Sequence, residues 1–138
     1  MTKLRSHCPI NFSLEIFGDR WTLLIIRDMA FNGMRYYGEF MNANEGFATN
    51  ILADRLNVLE DTGIIKKKID KHKKSRYIYS LTEKGIDLVP MLMEMVMWGS
   101  AYDKHTASPP EFVRLLKKNK ESVINGVTKQ LRKTHLKK

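Results

Sequence analysis

Cysteine is nearly absent from this sequence, which has a single thiol, Cys8, among 138 residues. One cysteine excludes an intrachain disulfide framework and a cysteine-rich zinc cage, and it is typical of a protein in a reducing compartment. No apolar run approaches the roughly 20 residues that cross a bilayer, and none near the N-terminus is long enough for a secretory signal. We therefore expect a cytoplasmic protein with no membrane partner.

Recognisable catalytic and metal-binding motifs are also missing. The sequence has no phosphate-binding loop, dinucleotide glycine fingerprint or nucleophile elbow, and its acidic residues are too dispersed for a paired-carboxylate site. The four histidines are scattered along the chain without a spaced zinc-binding pair. We expect no enzyme activity, no cofactor and no metal. An enzyme that uses Cys8 as its nucleophile is the alternative, although the sequence offers no partner for that thiol.

Positive charge is abundant and is confined to two segments. The net charge is +9. Residues 66–76 hold seven basic residues and one acidic residue, and residues 112–138 hold nine basic residues and one acidic residue, whereas the rest of the chain is net acidic. Such clusters are the electrostatic footprint of a protein that binds a polyanion, and a merely solvated surface is the alternative.

The segment 47–62 predicts a helix with two contrasting faces. Leu52, Leu56 and Leu59 repeat at helical spacing and predict a buried stripe. The opposite face is small and polar, which suits hydrogen bonding to base edges, and a plain solvent-facing surface is the alternative. That face comprises Thr49, Asn50, Ala53, Asp54 and Asn57.

A hairpin is predicted directly after this helix. Residues 64–70 and 76–81 have the pattern of two strands, and a polar turn of residues 71–75 joins them. A polar-faced helix followed by a basic hairpin is typical of a winged helix-turn-helix, in which the helix enters the major groove and the wing contacts phosphates. We therefore expect a mainly α fold with a small antiparallel β-hairpin wing. The predicted wing contacts are Lys68, Lys71, His72, Lys73, Lys74 and Arg76.

The remaining segments predict helices on both sides of this unit. Asn11 is expected to cap a first helix, and Asp19 a buried second helix over residues 20–31. One long helix is expected from Thr82 to Tyr102, with Pro90 kinking it or standing where a lost hydrogen bond is tolerated. Two further helices are predicted over residues 111–118 and 121–134. We expect a winged-helix domain with its dimerisation helices over residues 1–104, and a basic helical extension over residues 105–138.

Several motifs together resemble the HxlR-type winged-helix transcription regulators, which are relatives of MarR. They are Cys8-Pro9, residues 18–27 (GDRWTLLIIR), residues 37–40 (YGEF), residues 48–56 (ATNILADRL), residues 59–65 (LEDTGII), residues 77–85 (YIYSLTEKG) and Trp98-Gly99. The match covers roughly residues 8–99. It implies a dimeric bacterial regulator that binds double-stranded DNA. On this resemblance Arg55 reaches the DNA backbone and Arg35 stands at a phosphate contact.

Dimerisation and sensing are the remaining expectations. The methionine-rich segment 91–97 is too apolar for a solvent-facing helix, so a dimer interface is expected, with an ordinary core as the rival. The resemblance implies that the first helix also builds the dimer, which gives the dimerisation set Phe12, Ile16, Met91, Leu92, Met95 and Trp98. The tryptophans and methionines could instead line a pocket for a small-molecule effector.

Cys8 is a candidate sensor of oxidants. The neighbouring His7, Arg5 and Lys3 could favour its thiolate, and without a second cysteine its products are an intersubunit disulfide, a mixed disulfide or an adduct. The competing role for this thiol is that of a small buried hydrophobe. For the whole domain, a winged helix that binds structured RNA or a protein partner is the alternative to a DNA-binding regulator.

Overall fold

Ten elements follow one another in the computed structural model, which describes residues 4–137. The helices before the hairpin are α1 (Pro9–Phe17), α2 (Thr22–Phe31), α3 (Tyr37–Met41) and α4 (Thr49–Asp61). The hairpin is β1 (Ile65–Ile69) and β2 (Tyr77–Leu81). The helices after it are α5 (Glu83–Ile86), α6 (Val89–Tyr102), α7 (Pro110–Lys118) and α8 (Lys120–His135).

The core is one cluster to which every part of the chain contributes. Ile25 of α2, Leu52 of α4 and Leu81 of β2 are fully buried in it, as are Met93 of α6 and Leu116 of α7. The helix α2 is apolar on most sides and lies at the centre, as its sequence predicts. Within residues 4–137, no helix is long and apolar enough to cross a membrane.

The helix α4 ends at a glycine, as the sequence predicts. Gly63 has a φ of 77°, a conformation that residues with a side chain rarely adopt. This geometry lets the N–H of Gly63 donate to the Glu60 carbonyl at 3.1 Å and the N–H of Ile64 donate to the Leu59 carbonyl at 2.9 Å. The paired bonds satisfy the last carbonyls of α4 and turn the chain directly into β1.

The hairpin is antiparallel, with Ile65 opposite Leu81 and Ile69 opposite Tyr77. Its strands match the two predicted segments to within one residue at every end. Ile65 is the one buried residue of β1, whereas Tyr79, Ser80 and Leu81 of β2 are all buried. The base of the wing is thus held in the core, and its lysine-rich strand faces outward.

Two predictions about helix boundaries are wrong. The first helix starts at Pro9, and Asn11 does not cap it, because its side-chain amide donates to the Ser6 carbonyl at 3.2 Å. The predicted long helix is two helices, α5 and α6, separated at Asp87–Leu88. Pro90 stands in the first turn of α6, where its missing N–H would have no helical partner in any case.

The last two helices pack against the rest of the molecule. Leu116 of α7 and Leu131 of α8 belong to the common core. At the end of α8 the buried imidazole of His135 accepts a hydrogen bond at its Nδ1 from the backbone N–H of Leu81, at 3.0 Å. This bond ties the end of α8 to the base of the wing.

Candidate nucleic-acid interface

The helix α4 presents its polar face outward because its leucines hold the other face in the core. Leu52, Leu56 and Leu59 are all less than 4% exposed. The residues predicted to read bases are all exposed: Thr49, Asn50, Ala53, Asp54 and Asn57. Ahead of α4, Phe40 anchors α3 in the core, and the Tyr37 hydroxyl donates to the Thr49 carbonyl at 3.2 Å. The first turn of α4 is therefore held in place by α3 while its polar side chains remain exposed.

Asn50 and Asn57 are the side chains on this face with the most hydrogen-bonding capacity still free. They are seven residues apart, two turns along the same face of α4. Within residues 4–137, neither side chain makes a hydrogen bond to another residue. An asparagine amide can both donate and accept, and it can pair with an adenine edge through two bonds.

Arg55 lies between two carboxylates. Its Nη1 is 3.3 Å from Oδ1 of Asp19, and its Nε donates to Oδ2 of Asp54 at 3.0 Å. Asp19 also accepts from the backbone N–H groups of Trp21 and Thr22 just before α2, but the N-cap residue is Trp21, so the predicted capping role of Asp19 is wrong. Burial raises the pKa of Asp19, but hydrogen bonds led by that from the Thr22 hydroxyl outweigh it and lower the pKa overall. Arg55 is thus a paired cation in the middle of α4.

The wing is braced where its strands meet the turn, and the lysines of the turn are exposed. The Nε of Arg76 donates to Oδ2 of Asp70 at 2.7 Å across the end of the hairpin, and this bond is the main reason that the pKa of Asp70 is lowered. The guanidinium of Arg76 also stacks 3.8 Å from the centre of the Tyr36 ring. The remaining predicted wing contacts are exposed and form no ion pair within residues 4–137: Lys68, Lys71, His72, Lys73 and Lys74.

Comparison with known proteins decides the family. A family model described as HxlR-like helix-turn-helix matches residues 16–107. The chain belongs to this family. That result confirms the resemblance and, with the helical architecture and the two-stranded hairpin, the predicted winged helix-turn-helix fold.

Relatives of the HxlR-like chain extend this picture. An uncharacterized HTH-type transcriptional regulator of Mycobacterium tuberculosis is 36% identical over 101 residues, which cover 73% of this chain and 63% of the relative. The chain therefore spans slightly less than two thirds of that relative's length. The candidate transcription factor PA1607 has a TM-score of 0.67 at 35% identity, over 76% of this chain and 72% of its own.

The solved structure of a redox regulator is also similar to this chain. The redox regulator HypR in its oxidized form has a TM-score of 0.62 at 28% identity, over 70% of this chain and 99% of its own. The family to which all these proteins point is one of transcription regulators rather than enzymes.

Arg35 of this HxlR-like chain is half-buried and hydrogen-bonded to β2, and its predicted phosphate contact stays a prediction. Its Nε donates to the Tyr79 carbonyl at 3.1 Å and its Nη2 donates to the Ser80 hydroxyl at 2.5 Å. Burial lowers the pKa of its guanidinium. In return, the backbone N–H of Tyr79 donates to the Arg35 carbonyl at 2.8 Å. Arg35 therefore clamps β2 to the segment before α3.

The structure divides the predicted dimerisation residues. Phe12, Met95 and Trp98 are 40%, 50% and 71% exposed, and Met91 is partly exposed. Ile16 and Leu92 are instead almost completely buried within the protomer. Because their own chain covers them, these two side chains do not form a surface for a second subunit.

Cys8 is exposed at the N-terminal end of α1. Hydrogen bonds from the backbone N–H groups of Asn11 and Ile10 lower the pKa of its thiol. The described basic neighbours Arg5 and His7 are not the cause of this shift, contrary to the sequence prediction. Lys3, the third neighbour invoked, lies outside the described residues.

Sequence reasoning missed the groups that brace the interface. Asp70 and Tyr36 position Arg76, yet neither was singled out; the one available signal was an acidic residue inside an otherwise basic run. Within residues 4–137, no group of three or more potential ligands is arranged to hold a metal ion.

Proposed function

We propose that this protein is a sequence-specific DNA-binding transcriptional regulator that acts as a homodimer on a near-palindromic operator. The observation that carries the proposal is the exposed polar face of α4, with Asn50 and Asn57 on it, beside a wing in which Lys68, Lys71, Lys73 and Lys74 form no ion pair within residues 4–137. Membership of the HxlR-like helix-turn-helix family supports it.

In this proposal α4 enters the major groove. Thr49, Asn50 and Asn57 meet base edges there, where each base pair has a distinct pattern of donors and acceptors. The lysines of the wing neutralise phosphates, which gives affinity and salt dependence without sequence choice. Arg55 joins them only by exchanging a carboxylate partner for a phosphate, since Asp19 and Asp54 now hold its guanidinium.

Two exposed apolar stripes support the dimer. Met95, Trp98 and Tyr102 follow one another at helical spacing along α6, and Ile10 and Leu14 do so along α1. Large apolar side chains that are exposed next to one another mark interaction surfaces. Two recognition helices related by a two-fold axis would read half-sites about one helical turn apart. We keep residues 1–104 as the DNA-binding and dimerising unit, and residues 105–138 as the extension, within this proposal.

Thiol sensing is a second proposed function, favoured by the exposure and lowered pKa of Cys8. A thiolate is the form that oxidants and electrophiles attack. The similarity to HypR, a redox regulator, supports the same role. With one cysteine per chain, the oxidised product would be a disulfide to a second copy or to a small thiol, or else an adduct.

The decisive experiment is selection of bound duplexes from a randomised DNA pool at near-physiological salt, with and without a thiol oxidant. We expect an enriched palindrome, and loss of enrichment on oxidation in the natural sequence but not in Cys8→Ser. Retained enrichment under oxidant would reject the sensing role alone.

Binding without any enriched sequence would reject the regulator itself. Competition between duplex DNA and RNA of equal length then tests the alternative of structured RNA. A binding isotherm that does not respond to salt would favour the alternative of a protein-docking module.

A further inference from the structure

A cavity of about 820 Å³ lies on the side of the molecule where the C-terminal helices meet α2 and α6. Its walls are mainly apolar side chains from α2, α6, α7 and α8. Leu24, Phe31, Met93, Phe112 and Val127 are among them, and Met34 joins them from the segment after α2. This volume lies within the range of about 300–1,000 Å³ that is usual for small-molecule sites.

Neither tryptophan that the sequence offered for such a pocket takes part in it. Trp21 packs against Phe47 with ring centres 4.9 Å apart, and Trp98 is exposed on α6. The cavity is instead completed by Ser108, Pro109, Phe112 and Val127, which all lie beyond the segment that the family model matches. The site is therefore built partly by this chain's own extension.

One end of the cavity carries a compact cluster of charges. Arg27 donates through Nη1 and Nη2 to the two carboxylate oxygens of Glu45, each at 2.8 Å. Its Nε donates to Oδ1 of Asp28 at 2.9 Å. These three are the charged residues among those that line the cavity, so one cation faces two carboxylates and the lining is net negative.

Asp28 is the unusual member of this cluster because it is 1% exposed and only half satisfied. Its Oδ1 accepts from Arg27 and also from the Asn32 amide at 2.9 Å. Its Oδ2 is the one buried side-chain nitrogen or oxygen within residues 4–137 that has no hydrogen-bond partner. A buried carboxylate oxygen without a donor is costly, so its presence at a cavity wall marks a place for a donor.

We propose that this cavity binds a small apolar amine whose ammonium group donates to Asp28 Oδ2 while its hydrophobic body lies among the side chains of α2, α6 and the extension. A cation is favoured over a neutral donor because the lining carries one net negative charge. An organic acid is disfavoured for the same reason. Because Oδ2 is itself buried at the cavity wall, the proposal requires a small movement of the lining side chains that brings the ammonium within hydrogen-bond distance.

Three indole probes with different end groups test this proposal. Calorimetric titration of the protein with each probe measures its affinity. Tryptamine ends in an ammonium, tryptophol in a neutral hydroxyl and indole-3-propionate in a carboxylate. We expect tryptamine to bind about tenfold or more tightly than indole-3-propionate, with tryptophol between them.

The change Asp28→Asn removes the charge at nearly constant size. We expect it to weaken tryptamine about tenfold or more and to abolish the preference over tryptophol. Asp87→Asn is the matched control, because Asp87 is exposed on the C-terminal side of α5 and does not line the cavity. We expect this control to bind all three probes as the natural sequence does.

Nuclear Overhauser contacts between tryptamine and the natural protein keep the proposal testable if Asp28→Asn does not fold. We expect contacts from the indole protons to Phe112 and Val127. Contacts elsewhere, equal binding of tryptamine and indole-3-propionate, or full tryptamine affinity in a folded Asp28→Asn variant would each overturn the proposal.

Discussion

At the scale of single residues, the exposed face of α4 contains few groups that can discriminate bases. Asp54 is paired with Arg55, and Ala53 has no polar group in its side chain. The free amides of Asn50 and Asn57 are therefore the main candidates for sequence choice, with Thr49 beside them at the start of the helix.

We expect Asn50→Ala to relax base preference at one position of each half-site. An amide that pairs with a base edge through two bonds contributes about 1–3 kcal/mol of discrimination, and alanine removes it without disturbing the buried leucines. Binding to the selected operator and to its single-base variants measures the change. Asn125→Ala, an exposed asparagine of α8, is the matched control, and equal loss on all sequences would contradict the role of Asn50.

His135 gives a second prediction at this scale. Burial, with a smaller effect of nearby Arg35, lowers the pKa of its imidazole to about 4 from the ordinary 6.5. The unfolded chain therefore takes up the proton first as the pH falls, so the stabilising contribution is complete above about pH 6.5 and declines progressively from there toward pH 4.

Urea unfolding at several pH values measures this contribution. We expect the free energy of unfolding to fall by roughly 2 kcal/mol between pH 8 and pH 5 through this residue alone. His135→Asn should lose that portion of the pH dependence, whereas His105→Gln, an exposed loop histidine, should keep it. Identical pH profiles for the natural chain and His135→Asn would show that His135 does not titrate in this way.

At the scale of elements, the wing is a hairpin with exposed cations at its turn. Asp70, Arg76 and Tyr36 hold the strand ends that flank the turn, so we expect changes at Lys73 and Lys74 to leave the position of the strands intact. We expect Lys73→Ala combined with Lys74→Ala to weaken binding to all DNA sequences alike. The slope of the logarithm of affinity against the logarithm of salt should become shallower by about two, because two phosphate contacts are lost.

Lys117→Ala combined with Lys118→Ala removes the same charge from α7 and is the control for this effect. Salt titrations on operator and non-operator duplexes measure both variants. A change of base preference in the wing variant would reverse the assigned roles of wing and helix.

Local patterns explain why some elements could be predicted from the sequence. The leucine spacing and the flanking Gly63 fix α4, and alternation with a polar turn fixes the hairpin. The break between α5 and α6 was missed because Pro90 was taken as an interior residue of one helix. Packing also fixes the position of α5. A Cβ at Gly85 would lie 2.4 Å from the Ile64 carbonyl oxygen, so α5 packs closely against the start of the hairpin.

Contacts between distant residues were beyond sequence reasoning. The sequence pattern does not distinguish Arg35 from an exposed arginine of a DNA-binding protein. In the structure it donates hydrogen bonds to Tyr79 and Ser80, which are more than forty residues later in the chain. The cavity is the clearest case, since Asp28, Glu45 and Phe112 meet only after α2, the segment before α4 and the extension have packed. No local periodicity carries that information.

At the scale of the whole molecule, the proposed dimer depends on the exposed stripe of α6. Trp98 and Tyr102 lie with ring centres 5.3 Å apart and are more than 70% exposed. We expect Trp98→Asp to weaken self-association by about thirtyfold or more, since a central aromatic anchor contributes at least about 2 kcal/mol. Sedimentation equilibrium measures the association directly.

Leu115→Asp provides the comparison for this variant, because Leu115 is an exposed apolar residue on α7, outside the proposed interface. It should leave the association constant unchanged. A Trp98→Asp protein that remains a dimer would place the interface elsewhere and remove α6 from the proposal.

The hydrogen bond between His135 and Leu81 also has a consequence for how the protein is made. The two residues are 54 positions apart. At a synthesis rate of about 5–20 residues per second, the ribosome reaches His135 roughly 3–11 s after Leu81. During that interval a nascent wing lacks the partner for the Leu81 amide, so its final seating follows translation of α8 rather than of the hairpin itself.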